Sequence, residues 1–264
     1  MNAIDRTLKY VDLYLVNNDL DNIKEYKLPK GYRFVLFNDG DELDWVNIEM
    51  SSGEFLTFEE GIDAFKHYYG NHYEYLKKSC IFIENEQGEK IATSTAFYLE
   101  KLLDDITGNV HWVSIKKEYQ GKHLSKPLIS ETLKLMRRLG HKKTLLHTQT
   151  HTWLAVKVYL DMGFIPYKME ENYIGWQIIK KLTSHEKLSN IDDIDINNMY
   201  NSLYIQVYEF LKNNFNEPFV YKVWDELNSI IGINWNNQVH YYKYSFANNK
   251  LKIEGEVDEY RKIL

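Results

Sequence analysis

The chain has 264 residues, 44% hydrophobic and 27% charged, with 21 Tyr, 12 Phe and 6 Trp, which is enough apolar surface to exclude a disordered protein. A net charge of −6 argues against a general nucleic-acid binder, and the single cysteine, Cys80, excludes an internal disulfide framework and a cysteine-rich zinc site. The opening MNAIDRTLKY has no basic stretch followed by an apolar run, and nothing approaches the ~18 consecutive apolar residues of a membrane span, so a soluble cytoplasmic protein is expected.

In chain order, YVDLYLV within residues 1–30 reads as a strand, followed by the polar NNDLDNIKEY. LPKGYRFVLF (28–37) reads as a second strand, with Asn38, Asp39 and Gly40 as a turn. Residues 41–69 have helical periodicity, broken around Ser51, Ser52 and Gly53; Trp45, Ile48 and Met50 are expected to face a core, then Phe58, Ile62 and Phe65. CIFIENEQGEKIATSTAFYL (80–99) has the pattern of a hairpin turning at Gly88, and NVHWVSI (109–115) reads as a strand. SKPLISETLKLMRRLG (125–140) has helix signals at both ends: Ser125 as cap, Pro127 in the first turn and Gly140 at the end. TLLHTQT (144–150) is strand-like, THTWLAVKVYLDMGF (150–164) is a helix closed by Gly163, and MEENYIGWQIIKKL (169–182) reads as a strand. Residues 185–200 are polar and acidic and read as a linker. NMYNSLYIQVYEFLKNNF and FVYKVWDELNSIIG then read as two amphipathic helices around Pro218, and VHYYKYSF with KLKIEGEV as a hairpin across Ala247, Asn248 and Asn249.

This order is mixed α/β rather than a regular βαβ repeat. Three regions follow: an N-terminal strand extension packing on the core (1–30), a central domain (31–182), and an α+β extension of two helices and a hairpin (183–264).

Charge is unevenly spread. Residues 111–143 carry nine Lys or Arg against Glu118 and Glu131, an excess of +7 that leaves the remainder at −13. Inside this basic island, Tyr119-Gln120-Gly121-Lys122-His123-Leu124-Ser125 joins a strand to a helix. Such a turn directs backbone N–H groups outward at the positive end of a helix dipole, which suits phosphate. Gly121 permits close approach of a ligand, and Lys116, Lys117, Lys122 and Lys126 surround the turn.

The run I115-K-K-E-Y-Q-G-K-H-L-S-K-P-L resembles the V-x-P-E-Y-R/Q-G-x-G-x-G-x-x-L pattern of the GCN5-related N-acetyltransferase (GNAT) superfamily. Ala155-x-x-x-Tyr159-x-x-x-Gly163-Phe164 resembles that family's A-x-x-x-Y-x-x-x-G-F block, at the expected distance downstream. On a helix, positions 155, 159 and 163 share one face. Two departures stand out: His123 and Ser125 occupy positions where the family usually has glycine, which a non-glycine residue fills if its φ is negative. The resemblance covers residues 31–182 and is strongest over 111–166.

The resemblance implies a GNAT fold, a twisted central sheet with splayed strands flanked by helices, and an acetyl-CoA-dependent N-acetyltransferase working by direct attack in a ternary complex. It places the pyrophosphate of coenzyme A on Gln120, Gly121, Lys122, His123, Leu124 and Ser125, and lets Ala155 lie close to the cofactor. The amides of Val113 and Ile115 would polarise the thioester carbonyl, and Tyr159 would protonate the leaving thiolate. His111 lies two residues before Val113, on its face if alternation holds, and is the first candidate for the base. Glu54, Glu59, His67 and His147 are alternatives. His147 and His151 have a metal-like spacing, but no third ligand is evident and no metal is expected. The acceptor is an amine on a small molecule or peptide, cationic if the acidic remainder attracts it. The alternative reading is a non-catalytic module that binds coenzyme A and acts through protein contacts, with the tail as cover for the cleft or as a homodimer interface.

Overall fold

A computed structural model describes residues 4–55, 57–98, 107–214, 219–224, 230–235, 238–247 and 250–256. The chain divides into two compact units, one holding residues 10–195 with the preceding residues 4–5, the other holding 6–9 and the residues from 196 onward.

The first unit is built on a seven-stranded sheet of β1 (Asp12–Asn17), β2 (Tyr32–Leu36), β3 (Cys80–Asn85), β4 (Lys90–Tyr98), β5 (Thr107–Ile115), β6 (Lys143–Gln149) and β7 (Ile165–Tyr167), in the order β2-β3-β4-β5-β6-β1-β7. All neighbouring pairs are antiparallel except β5 and β6. The sequence reading set residues 1–30 apart as an extension on the core. Instead β1 lies inside the sheet, with Leu13 and Leu15 fully buried between β6 and β7.

Helices cover both faces. On one face lie α1 (Glu42–Ser52), α2 (Phe58–Tyr69) and α3 (Tyr73–Ser79), around a core of Trp45, Phe65, Tyr69, Phe82 and their neighbours. α1 stops at Gly53, whose φ of 96° permits the left-handed cap. α2 begins with a capping box between Thr57 and Glu60. Phe58, expected to face the core, is exposed, because the box places it in the first turn on the outer side. On the other face lie α4 (Ser125–Arg138), α5 (Trp153–Asp161) and α6 (Tyr173–Thr183), around Leu128, Leu133, Leu160, Phe164 and Trp176.

α6 corrects the strand expected over 169–182. Gly175, Trp176, Ile178 and Ile179 are its buried residues, which is helical spacing and not alternation. Gly175 is there for close approach: a Cβ would sit 2.8 Å from Val11 and 2.9 Å from Leu13. Residues 185–195, read as linker, belong to this unit. Leu188 and Ile191 join its core, and the Lys187 ammonium donates to the carbonyls of Leu160 (2.8 Å) and Phe164 (2.9 Å) after α5.

The second unit contains α7 (Ser202–Asn214) and a four-stranded antiparallel sheet in the order β11-β10-β9-β8. Its strands are β8 (Phe219–Trp224), β9 (Ile230–Trp235), β10 (Gln238–Ala247) and β11 (Lys250–Glu256). The β10–β11 hairpin matches expectation; its turn residues Asn248 and Asn249 lie outside the described residues. FVYKVWDELNSIIG is not a second helix. Its two ends, rich in β-branched and aromatic side chains, pair with each other as β8 and β9. Among the described residues, no helix is long and apolar enough to cross a membrane.

Candidate active site

The site begins with an irregularity in β5. Thr93 on β4 pairs with Ser114, but Thr95 pairs with His111, so Trp112 and Val113 together oppose the single residue Ser94. This is a β-bulge, and Trp112 takes a φ of 48° within it. A bulky aromatic in the left-handed region is a strained conformation of the kind found where a strand is re-aimed at a site. β5 also parts from its other neighbour. Its parallel pairing with β6 covers only Thr107–Asn109 against Lys143–Leu145, and beyond Asn109 the two strands separate.

A cleft of about 710 Å³ occupies this gap. β5 supplies Val113, Ser114 and Ile115; the following loop supplies Gln120, Gly121, His123 and Leu124. The start of α4 adds Ser125 and, one turn on, Ile129; α5 adds Ala155, Val158 and Tyr159, and Ser52 and Glu54 reach in from the end of α1. Of the residues chosen from sequence, Val113, Ile115, Gln120, Gly121, His123, Leu124, Ser125, Ala155 and Tyr159 therefore meet around one cavity.

The loop is anchored from outside. Tyr119 donates through its hydroxyl to Glu89 (2.9 Å) and accepts from Asn85 (2.9 Å), tying the loop to the β3–β4 turn. The Gln120 side chain donates back to the Ile115 carbonyl at 3.1 Å. Gly121 has a φ of 76° and open space where a Cβ would be. His123 has a φ of 60°, so the negative φ expected of a residue standing in for glycine there is not adopted. Ser125 is the first residue of α4 and does not cap it; Leu124 holds the cap position and no side chain caps the helix. The first-turn amides of α4 are thus left to an anion. Lys117 lines the cleft. Lys122 is exposed, its ammonium 4.4 Å from the Tyr119 ring centre, and lies outside the lining. Lys116 and Lys126 are held in ion pairs with Glu89 (2.7 Å) and Asp161 (3.0 Å).

Tyr159 is 5% exposed and packs edge-on against Phe164. Burial, with the charges of Glu49 and Glu54, raises its pKa above that of an ordinary phenol, so the hydroxyl stays protonated.

His111 does not join these groups. The extra residue of the bulge breaks the alternation that would have put it on the face of Val113, and its ring sits instead among Tyr68, Tyr69, Phe97 and Trp112. Its Nδ1 is 2.9 Å from the Tyr69 hydroxyl. Burial, then the charge of His147, lowers its pKa to about 4. Of the alternative bases, Glu54 alone lines the cleft. Glu59 is exposed, and His67 lies against Tyr68. His147 is bonded to Asp12 at 2.8 Å and stacked on Tyr14. Among the described residues, no three His, Cys, Asp or Glu side chains converge as a metal site.

Three polar residues escaped the sequence reading: Ser52, Ser114 and Glu49. Glu49 is fully buried on α1, and the Ser114 hydroxyl donates to its Oε2. Ser52 donates to the Glu49 carbonyl (2.8 Å) and lies 3.4 Å from the Ser114 hydroxyl. Nothing in the local pattern separates Glu49 from the solvated acids of the same helix.

Comparison with known proteins bears on the same region. The sequence profile of the acetyltransferase (GNAT) family matches residues 44–164. No curated protein matches the chain. Among solved structures, it is similar to a GCN5-related N-acetyltransferase from Sphaerobacter thermophilus, with 16% identity, 61% of this chain and 50% of that chain covered, and a TM-score of 0.47. It is also similar to an acetyltransferase from the GNAT family from Colwellia psychrerythraea, with 15% identity, 62% and 55% coverage, and a TM-score of 0.46. The chain thus spans about half the length of these structures. The bulged strand, the uncapped α4 and the Ala155–Tyr159 helix all lie within residues 44–164, the part of the chain that matches the acetyltransferase (GNAT) family.

Proposed function

We propose that the chain transfers an acetyl group from acetyl-CoA to a primary amine by direct attack in a ternary complex. The observation that carries this reading is the single cleft in which the bulged strand, the uncapped start of α4 and the buried Tyr159 all meet. The pyrophosphate lies on the amides of residues 121–125, with the His123 ring beside it and Lys117 and Lys122 adding charge at the rim. The thioester carbonyl is polarised by the amides of Val113, which lies in the bulge, and Ile115, which follows it; one donor aimed at a developing oxyanion is worth on the order of 10²-fold or more. Ala155 gives the cofactor room along α5. Tyr159, kept protonated by its surroundings, hands its proton to the leaving thiolate, a role worth ~10²–10⁴-fold.

The acceptor is a cationic amine. Glu54 at the cleft, Asp12 beside His147, and the −13 balance outside the basic island all favour positive charge on that side. The test has two parts. Acetyl-CoA at millimolar concentration should raise the melting temperature of the full chain; no shift removes the cofactor assignment. Thiol release should then appear with members of a panel of spermidine, kanamycin, tyramine and a lysine-containing tripeptide. Reaction with neutral amines or alcohols alone would remove the cationic class, and binding without release would identify a non-catalytic coenzyme A-binding module.

A further inference from the structure

The cleft contains an arrangement that the cofactor does not use. Glu49 on α1 is fully buried, yet one of its oxygens, Oε1, has no hydrogen-bond partner among the described residues. The other accepts from Ser114, which faces the cleft from the bulged stretch of β5. A buried carboxyl with an idle oxygen carries an unrecovered desolvation cost, and folds retain such groups chiefly where the group has a task. Ser52, also at the cleft, holds the Glu49 carbonyl and touches the same serine hydroxyl. The path from cavity to carboxyl is therefore a single hydroxyl long.

We infer that Glu49 takes up the proton lost by the attacking amine, with Ser114 passing it from the cleft to the buried carboxylate. This rests on the acetyl-transfer reading above and fills the role for which His111 is misplaced. The reacting nitrogen enters neutral, having left its first proton to water; as it bonds to the thioester carbon, its next proton moves to Ser114 Oγ while the Ser114 proton moves to Glu49 Oε2. The C–S bond breaks and the thiolate takes the Tyr159 proton. Glu49 has then gained one proton and Tyr159 has lost one; exchange with water after product release restores both.

The surroundings suit the task. Among the described residues, the titratable groups that interact with Glu49 are Glu54, Tyr69 on α2, Cys80 on β3 and Tyr159 on α5, and none of these is a cation. Burial first, and the charge of Glu54 after it, raises the Glu49 pKa well above the usual carboxylate range, against the lowering effect of the Ser114 bond. A carboxylate raised toward neutral is a stronger base than an exposed one. Glu49 acts through Ser114, so it is a positioning and relay group and not one that touches substrate.

The test uses the full chain, the amine panel above, and the variants Glu49→Gln and Ser114→Ala. Glu49→Gln keeps the volume and removes a buried ionisable group, so its melting temperature should stay level or rise. Its turnover should fall by about 100-fold. The KM for acetyl-CoA should be unchanged, and of the alkaline rise of kcat/KM for the amine only the part set by the amine's own ionisation should remain. Ser114→Ala should show the same loss of turnover, with a lower melting temperature, because it leaves both oxygens of the buried Glu49 carboxyl without a donor. Undiminished turnover in Glu49→Gln, or a loss that comes with a lower melting temperature and weaker acetyl-CoA binding, overturns the relay. If wild type binds acetyl-CoA but acetylates no amine in the panel, the transfer reading fails and the relay falls with it. If wild type acetylates and Glu49→Gln acetylates equally well, only the relay fails.

Discussion

The two walls of the cleft are held in different ways. The α4–α5 wall is made of backbone and small side chains. Its elements are a glycine at positive φ, a helix start without a cap, and Ala155 one turn before Tyr159. The α1–α2 wall, which shows Ser52, Glu54 and Ser114 to the cleft, is backed by large side chains brought from far apart: Trp45, Tyr69, Phe97, His111 and Trp112 interlock behind it with ring centres 5–6 Å apart, mostly edge to face. The first wall can recognise a ligand that is the same in every turnover. The second offers two hydroxyls and a carboxylate to whatever else enters, held in place by the rings behind them.

The comparison can be broken most decisively through His111. Its pKa of about 4, against 6.5 for an ordinary imidazole, means that the folded chain binds fewer protons than the unfolded chain between those values. The neutral ring's contribution is fully present above about pH 6.5 and is lost as pH falls toward 4, a difference of about 3 kcal/mol. Denaturant unfolding across that window should show a steeper acid loss in wild type than in His111→Asn. Equal slopes would mean that water reaches the ring and that this wall is not dry. Next comes Tyr159→Phe, which should lower turnover about 100-fold while leaving acetyl-CoA affinity alone. Retained turnover would move the proton donor to another group and deprive the first wall of its chemistry. The smallest effect is expected at His123→Gly. Relieving a left-handed non-glycine residue should stabilise the fold by about 1 kcal/mol, yet weaken acetyl-CoA binding if the imidazole meets phosphate. Tighter binding in the glycine variant would show that the ring only obstructs the loop.

The same division governs what could be read from sequence. Gly121 and the Ala155–Tyr159–Gly163 spacing are local signals, each needing only a few neighbouring residues to have meaning; Gly121, Ala155 and Tyr159 line the cleft. The bulge at Trp112 has no such signature. It is set by how β5 fits β4, and missing it put His111 on the wrong face. Glu49 was invisible for a related reason: an acid in a helix reads as solvated until α2, β3 and β5 close over it. Short elements with mixed patterns failed similarly. The apolar residues of 173–182 fit either period until Gly175 is seen to meet Val11 and Leu13, and the strands β8 and β9 were hidden in one apparently amphipathic stretch.

The position of β1 has a consequence for how the chain comes to be folded. Its partners, β6 and β7, are made after the whole of residues 18–142. At ordinary translation speed the first strand waits on the order of ten seconds for its neighbours. Until then Leu13 and Leu15 have nothing to lie between, and the growing sheet presents an open border capable of pairing with another nascent chain. Pairings this distant along the chain are slow to form and give no reward until late. Trimming the first seventeen residues, which looks like removal of a tail, would instead part β7 from the sheet and leave β6 as a raw edge beside the cleft. A truncated version should therefore be expected to aggregate before it loses any particular step of catalysis.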